Sequence, residues 1–426
     1  MSRRRFLAAT LGLAAVGVAG RMGWQQLAED AERHPPYFRA LADALADANT
    51  HLPRLVVDWP RAQNNLLKLL AAIQPDYHYR IVVKSLPCLP LIDRIMEQAS
   101  TRRLMVFNEP SVRVLANERP TADLLLGKPL PAAAAHYFYQ HRNPESGFNP
   151  AQQLQWLVDS PQRLDDYRQL AESLNEPLRI NLEINIGLNR GGLASPSELD
   201  AVLAVIQDHP LLTFSGFMGY EAHIVKAPGP ASFHFERAMT RYQAFVERAE
   251  TLLGKSIRNL TLNTGGSTTA SLYREADVAP NEIAAGSAVL QPAGFDLHTL
   301  ADQQPAVFIT TPVLKRAEGL ALPGAPGAGT LLGLWDRRYE TTFFIDRGNW
   351  KAEPVSPPGL RLNPLYGRSS NQEMLNGPDS LALTPGDTVF LRPIQSERLL
   401  EQFGPLLMFN GQRITSEWPV FATHPS

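Results

Sequence analysis

Lys84 closes the short apolar run Arg80-Ile81-Val82-Val83-Lys84. A lysine ending a buried-type strand is unfavourable unless its amine has a use. Desolvation favours a neutral amine, and a neutral amine can form a Schiff base with a carbonyl. Four other stretches carry groups suited to the same kind of site. Gly187-Leu188-Asn189-Arg190-Gly191-Gly192 holds a guanidinium able to clamp an anionic or aromatic ligand; a surface ion pair is the alternative. Gly219-Tyr220-Glu221-Ala222-His223 offers Tyr220 and His223 as acid–base groups, with a purely structural histidine as the other reading. Gly265-Gly266-Ser267-Thr268-Thr269 is rich in glycine and hydroxyls and precedes a helical stretch. Such a loop brings backbone N–H groups close to an anion and holds phosphate without a lysine, unless it is a plain turn with an N-cap. Ala285-Gly286-Ser287 lies in the last apolar run and could add a second phosphate contact.

The elements that position these groups follow from periodicity. Short apolar runs at Arg80–Lys84, Arg103–Phe107, Asp123–Gly127, Gln155–Asp159, Arg179–Asn185, Thr213–Met218, Asn259–Asn263 and Glu282–Leu290 read as strands. Segments of helical period, such as Leu89–Ala99 and Pro161–Leu174, separate most of them. Strand–helix alternation implies a parallel sheet, and eight such runs predict an α/β fold, a (β/α)8 TIM-type barrel over residues 53–305. In such a barrel the C-terminal strand ends form the working face, where all the motifs above fall. Asp58, Asp159 and Glu183 read as acids paired inside the barrel, with no chemistry assigned. An earlier run, Pro53–Asp58, precedes the eight and suits a second domain. Residues 22–52 read as a helical, amphipathic lead-in. Beyond residue 305, dense Pro and Gly (Leu322–Gly329, Glu353–Gly359) and short β-rich runs (Ala306–Leu314, Thr341–Ile345, Thr388–Arg392) predict a C-terminal β domain over 306–426.

Composition excludes several classes. Apolar residues make up 44% and charged residues 19% of 426, which suits a large core and argues against global disorder. A net charge of −2 gives no reason to expect nucleic acid or an anionic membrane surface as partner. No zinc-type Cys/His spacing is present, and the single cysteine, Cys88, excludes an internal disulfide. Ser2-Arg3-Arg4-Arg5-Phe6-Leu7, followed by an uncharged run to Gly20, predicts a twin-arginine export signal over residues 1–21, hence a periplasmic protein. The run is short for a membrane span, which needs about 20 apolar residues; an uncleaved signal would still tether the chain to the membrane.

A strand-end lysine, a distant phosphate loop and an arginine on one barrel face are what pyridoxal 5′-phosphate chemistry needs: the lysine binds the aldehyde, loop amides bind the phosphate, and the ring serves as electron sink. Over residues 50–400 the chain resembles the fold-type III pyridoxal-phosphate enzymes of the alanine racemase N-terminal barrel superfamily, in particular the D-threonine aldolase / D-serine dehydratase group. Leu52–Asp58 with Asn64-Asn65-Leu66 resembles the opening motif, and Arg80–Lys84 the segment bearing the aldimine lysine. Gly187–Gly192 resembles the arginine loop, Gly219–His223 the Tyr-Glu-Gly-His motif with Ala222 for glycine, and Gly265–Thr268 with Gly286-Ser287 the phosphate contacts. Asp346–Ala352 resembles a motif of the β domain. The resemblance implies Lys84, Arg190, Tyr220, Gly265, Gly266, Ser267, Gly286 and Ser287 as cofactor contacts. It also implies Lys84, Tyr220 and His223 as catalytic groups, a small amino-acid substrate, and a homodimer.

The chain departs from that pattern on the substrate side. In the group a divalent metal is bound within Pro-Asn-His-x-Cys/Asp; the matching stretch here is Pro393-Ile394-Gln395-Ser396-Glu397. A neutral amide is a poor ligand for a transition metal, so the sequence assigns no metal site. Val82 and Ala288 stand where the group has histidine and tyrosine, and Gln372-Glu373-Met374 replaces Glu-His-Gly. The implied activity is lyase chemistry on an amino acid of D configuration. The alternatives are a racemase, with Tyr366 as candidate second acid–base group, and a non-catalytic pyridoxal-phosphate-binding protein.

Overall fold

In the computed structural model, residues 33–319, 336–397 and 399–421 are described; the signal segment (1–21) and Leu322–Gly329 lie outside them. The chain divides into two units. One comprises Val57–Val307 with Gln395–Leu406 and Glu417–Ser426; the other comprises the residues up to Val56 with Phe308–Ile394 and Leu407–Ser416. The division departs from an unbroken 306–426 domain in one respect that matters below: residues 395–406 belong with 57–307.

The larger unit contains a closed barrel of eight parallel strands, β2 (His78–Val82), β3 (Arg103–Val106), β4 (Asp123–Leu126), β5 (Leu154–Val158), β6 (Leu178–Ile184), β7 (Leu212–Gly219), β8 (Thr261–Thr264) and β9 (Glu282–Ala285), in sequential order. These are the eight runs expected. Three of the longer helices of this unit start at side-chain caps. Asp58 Oδ1 accepts the Arg61 N–H at 3.0 Å ahead of Trp59–Ile73, and Asn108 Oδ1 accepts the Ser111 N–H at 2.9 Å ahead of Glu109–Glu118. Ser160 Oγ accepts the Arg163 N–H at 3.3 Å ahead of Pro161–Leu174. Each has proline in its first turn, where a missing N–H costs nothing.

The N-terminal half of the barrel is filled by polar side chains in a bonded network. Arg80, fully buried, donates to Glu282 from Nε (2.5 Å) and Nη2 (3.0 Å), to Asp123 Oδ1 (2.7 Å), and to the carbonyls of Leu104 and Asp123. Arg103 and Asn263 complete the Glu282 carboxylate at 2.7 and 2.8 Å, and Asn181, Gln155 and Thr261 form a second chain across the interior. Burial works against the Arg80 charge, but Glu282 and Asp123 outweigh it and hold the guanidinium above its ordinary value.

Two expected strand ends are corrected. Lys84 lies beyond β2, in the 3-10 turn Val83–Ser85, closed by the Leu86 N–H on the Val83 carbonyl at 2.8 Å; Pro87, with no N–H, cannot extend the ladder. The run Glu282–Leu290 leaves the sheet at Ala285, and Ser287–Leu290 is a helical turn. A Cβ on Gly286 would stand 2.6 Å from the Val82 carbonyl oxygen, so only glycine permits this crossing of β2 and β9.

The smaller unit carries a mixed sheet ordered β13 (Arg361–Leu362), β14 (Gln372–Gly377), β11 (Thr341–Asp346), β10 (Val307–Glu318), β1 (Arg54–Asp58), β16 (Leu406–Phe409), β17 (Ile414–Trp418). β15 (Thr388–Pro393) pairs with both β10 and β12 (Ala352–Ser356). The run Pro53–Asp58 thus supplies a strand outside the barrel. The amphipathic lead-in forms the helix Pro36–Asp47, which buries Leu41, Ala44 and Leu45 with Val56, Phe308, Phe390, Leu407 and Phe409. Each such large apolar side chain contributes about 1.5–3 kcal/mol on leaving water.

Candidate active site

The turn after β2 sets Lys84 at the C-terminal mouth of the barrel. Its side chain is 41% exposed, so the desolvated amine expected from sequence is corrected: the hydrophobic run stops before it. Lys84 Nζ lies 3.0 Å from Glu397 Oε1 and 4.6 Å from the centre of the Phe107 ring, two contacts made by an ammonium. Ser85, buried, donates to the same Glu397 oxygen at 3.3 Å. Gly127, just after β4, makes room for Phe107: a Cβ there would stand 2.4 Å from the ring.

The loop after β8 and the turn after β9 are bonded into one cradle. Ser267 Oγ accepts the N–H groups of Gly286 (3.2 Å) and Ala288 (3.0 Å), and Ser287 Oγ donates to Ser85 Oγ at 3.0 Å. Gly265 takes φ +83°, a left-handed conformation, and its Cβ would stand 2.7 Å from Ile283. Among the described residues, the N–H groups of Gly266, Ser267, Thr268 and Ser287 have no acceptor. Buried Asn65 braces the far end of the cradle, donating to the Val289 and Gln304 carbonyls at 3.1 and 2.7 Å.

Glu221 anchors the loop from beneath. Its fully buried carboxylate accepts Thr264 Oγ1 (2.9 Å), the Gly265 N–H (3.2 Å), Thr269 Oγ1 (2.7 Å) and the Tyr273 hydroxyl (3.0 Å). Burial pushes its carboxyl up, and the four donors pull the other way.

Tyr220 closes one side. Its ring lies 3.0 Å from where a Gly266 Cβ would be, and the Arg190 guanidinium stacks on it at 4.9 Å. Burial pushes the Tyr220 hydroxyl up, Glu221 and Glu397 add to this, and Arg190 opposes it. Glu183, 8% exposed on β6, is a buried carboxyl pushed up by burial and by Asp159, with Arg190 opposing. The expected grouping of acids is corrected: Asp58 caps a helix and pairs with Arg61, and Asp159, just ahead of the helix Pro161–Leu174, pairs with Arg163. His223 sits elsewhere on the rim. Its Nε2 is 3.0 Å from where a Gly187 Cβ would be, and its buried Nδ1 has no partner among the described residues. Burial, His234 and Arg241 all lower its pKa. No hydrogen bond or ring contact joins it to Lys84 or Tyr220.

Lys84 is thus brought together with Ser287, through Ser85, and Ser267 with Gly286; Arg190, Tyr220 and Gly266 form a second contiguous group. Sequence reasoning missed the roles of Glu221, Phe107 and Glu397. Glu221 had a signal, an acid directly after the strand-end tyrosine with Thr264, Thr269 and Tyr273 in reach. Glu397 was legible only as the last residue of Pro393–Glu397, where the resemblance implies a metal-binding pattern. Among the described residues, no group of three His, Cys, Asp or Glu is gathered as metal ligands would be.

Residues 57–290 match the family model described as alanine racemase, N-terminal domain. No curated protein matches the chain in sequence. Among solved structures, D-threonine aldolase from Filomicrobium marinum is similar at 16% identity and TM-score 0.67, covering 87% of this chain and 97% of its own. D-threo-3-hydroxyaspartate dehydratase from Delftia sp. HT23 gives the same figures. Alanine racemase from Bacillus anthracis with bound L-Ala-P is similar at 16% identity and TM-score 0.63, covering 87% and 98%. At these identities the likeness is one of fold.

Proposed function

The chain belongs to the alanine racemase N-terminal domain family, that of the fold-type III pyridoxal-phosphate enzymes, and on that premise we propose that it is an exported lyase acting at Cα–Cβ of a D-amino acid. The observation that carries the reading is the cradle beside Lys84: Ser267 joins the two loops, four N–H groups are without acceptors, and glycines stand where a Cβ would collide. These residues fit a phosphate and an aldehyde. The N–H groups of Gly266, Ser267, Thr268 and Ser287 would hold the phosphate with the Ser267 hydroxyl proton, which its two accepted bonds leave free. Lys84 would hold the aldehyde end.

Pyridoxal phosphate, when bound, supplies a ring that withdraws electrons from the substrate Cα. The protein's groups do the rest. Tyr220 keeps its proton at neutral pH, because burial and two carboxylates raise it, and so acts as a donor. Arg190 stacks on Tyr220 and fixes the ring plane. His223, its pKa lowered by burial, His234 and Arg241, is equipped to accept a proton at the rim. Support for D configuration comes from two similar structures, named as a D-threonine aldolase and a D-threo-3-hydroxyaspartate dehydratase. Support for export is the twin arginine ahead of an uncharged run.

The test is the visible spectrum of the purified full chain beside Lys84→Ala, then a screen of D- and L-amino acids with and without chelator. An absorption band lost on borohydride treatment and absent from the variant is expected, with an aldehyde or keto acid released from a D-amino acid. Loss of optical activity without products would replace the lyase by a racemase. A colourless protein that takes up no pyridoxal phosphate would overturn the reading.

A further inference from the structure

Lys84 meets a difficulty that its surroundings resolve. Its contacts with Glu397 and with the face of Phe107 are both made by an ammonium, and an ammonium has no lone pair with which to attack a carbonyl. A base in contact with Nζ would take its extra proton. Among the described residues, Glu397 is the only carboxylate in such contact, at 3.0 Å. It is held in place: Ser85 donates to the same oxygen at 3.3 Å, Ser287 donates to Ser85 at 3.0 Å, and Ser396, the residue before Glu397, lies 3.3 Å from the Ser287 hydroxyl. Ser85 thus holds the carboxylate itself, and the Ser287–Ser396 contact holds the residue beside it. The Glu397 side chain is 37% exposed, so it can exchange protons with water. Its segment, Gln395–Leu406, belongs to the same unit as the barrel.

We propose that Glu397 is the acid–base residue that moves protons on and off Lys84 Nζ whenever a carbon–nitrogen bond forms or breaks there. The inference rests on the functional reading above and adds to it a carboxylate in the stretch where the resembling enzymes bind metal. In the forward step one proton passes from Nζ to Glu397. The freed electron pair bonds to the carbonyl carbon of pyridoxal phosphate, and the carbonyl π pair moves to oxygen. That proton and a second from the nitrogen, both delivered through Glu397, leave with the oxygen as water. Nitrogen keeps one proton and the positive charge, and Glu397 ends as the carboxylate it began as.

The experiment follows attachment rather than turnover. Full-length protein is mixed with pyridoxal phosphate, quenched with borohydride at timed intervals, and the label is located by peptide mass. Glu397→Gln is expected to slow attachment at Lys84 about 100-fold, the scale of a lost general acid–base group. Ser85→Ala is expected to slow it less. Glu397→Gln labelled at the wild-type rate would overturn the proposal. Should that variant not fold, Glu397→Asp decides: a shortened carboxylate slows attachment about tenfold or more if the proton role is right, and an unchanged rate sinks it. Failure of the wild type itself to label at Lys84 sinks the functional reading instead, so the two failures are distinct.

Discussion

Ser267 Oγ accepts the N–H of Gly286 at 3.2 Å, across 19 residues of chain, and the Ala288 N–H joins it at 3.0 Å. One hydroxyl thus fixes the spacing of the two loops proposed to hold phosphate. Ser267→Ala would leave two buried N–H groups without an acceptor, at a cost of about 1–3 kcal/mol each. The expected outcome is retention of pyridoxal phosphate reduced about tenfold or more, with a lower unfolding temperature. Equilibrium dialysis of wild type and variant measures it, and unchanged retention would remove Ser267 from the phosphate site.

Gly286 is tied to Lys84 by sterics. A Cβ there would stand 2.6 Å from the Val82 carbonyl oxygen, just ahead of the Lys84 turn, and 3.1 Å from Ser85 Cβ, at its end. Gly286→Ala is expected to displace that turn at a cost of about 1–3 kcal/mol, the usual range for overpacking. Borohydride labelling at Lys84 should drop sharply in the folded variant. A variant that labels normally would show that the turn yields without moving the amine.

The barrel was legible because its signal is repetitive: eight apolar runs at helical separations leave few alternatives, and every run became a strand. Glycines at Gly265 and Gly286 were legible as loop residues, and the structure adds what each avoids, the Ile283 side chain and the Val82 carbonyl. Lys84 was found for a reason that failed, since its side chain is exposed although Val83 and Ser85 on either side of it in the 3-10 turn are buried. Glu397 and Lys84 are 313 positions apart, and nothing local in either stretch announces the other. The same holds for Arg80 and Glu282, 202 positions apart, which closure of the barrel brings together by setting β2 beside β9.

Glu183 makes a pH prediction. Burial raises its carboxyl above the ordinary value of 4.5. The folded chain therefore keeps a proton that the unfolded chain has released, so Glu183 contributes stability that is full below about pH 4.5 and is lost as pH rises through the raised value. Glu183→Gln removes this loss. Relative to wild type, the variant should gain stability as pH rises from about 4.5 toward neutrality. Urea unfolding at a series of pH values measures the difference; a constant offset would mean that Glu183 is not a buried acid in solution.

The Arg80–Glu282 pair predicts strong non-additivity. Removing one partner leaves the other as a buried charge short of its counter-ion, which typically costs about 3–5 kcal/mol. Arg80→Met leaves Glu282 to Arg103 and Asn263, and Glu282→Leu leaves Arg80 to Asp123. Each single variant should therefore be destabilised by about 3 kcal/mol or more. The double variant Arg80→Met/Glu282→Leu removes both charges and puts apolar volume in their place, which in other buried pairs is close to neutral. Its loss should be well short of the sum of the two single losses, a coupling of about 1 kcal/mol or more in a double-mutant cycle. Strictly additive losses would mean that the two side chains act independently, Arg80 through Asp123 and Glu282 through Arg103, in spite of the 2.5 Å contact between them.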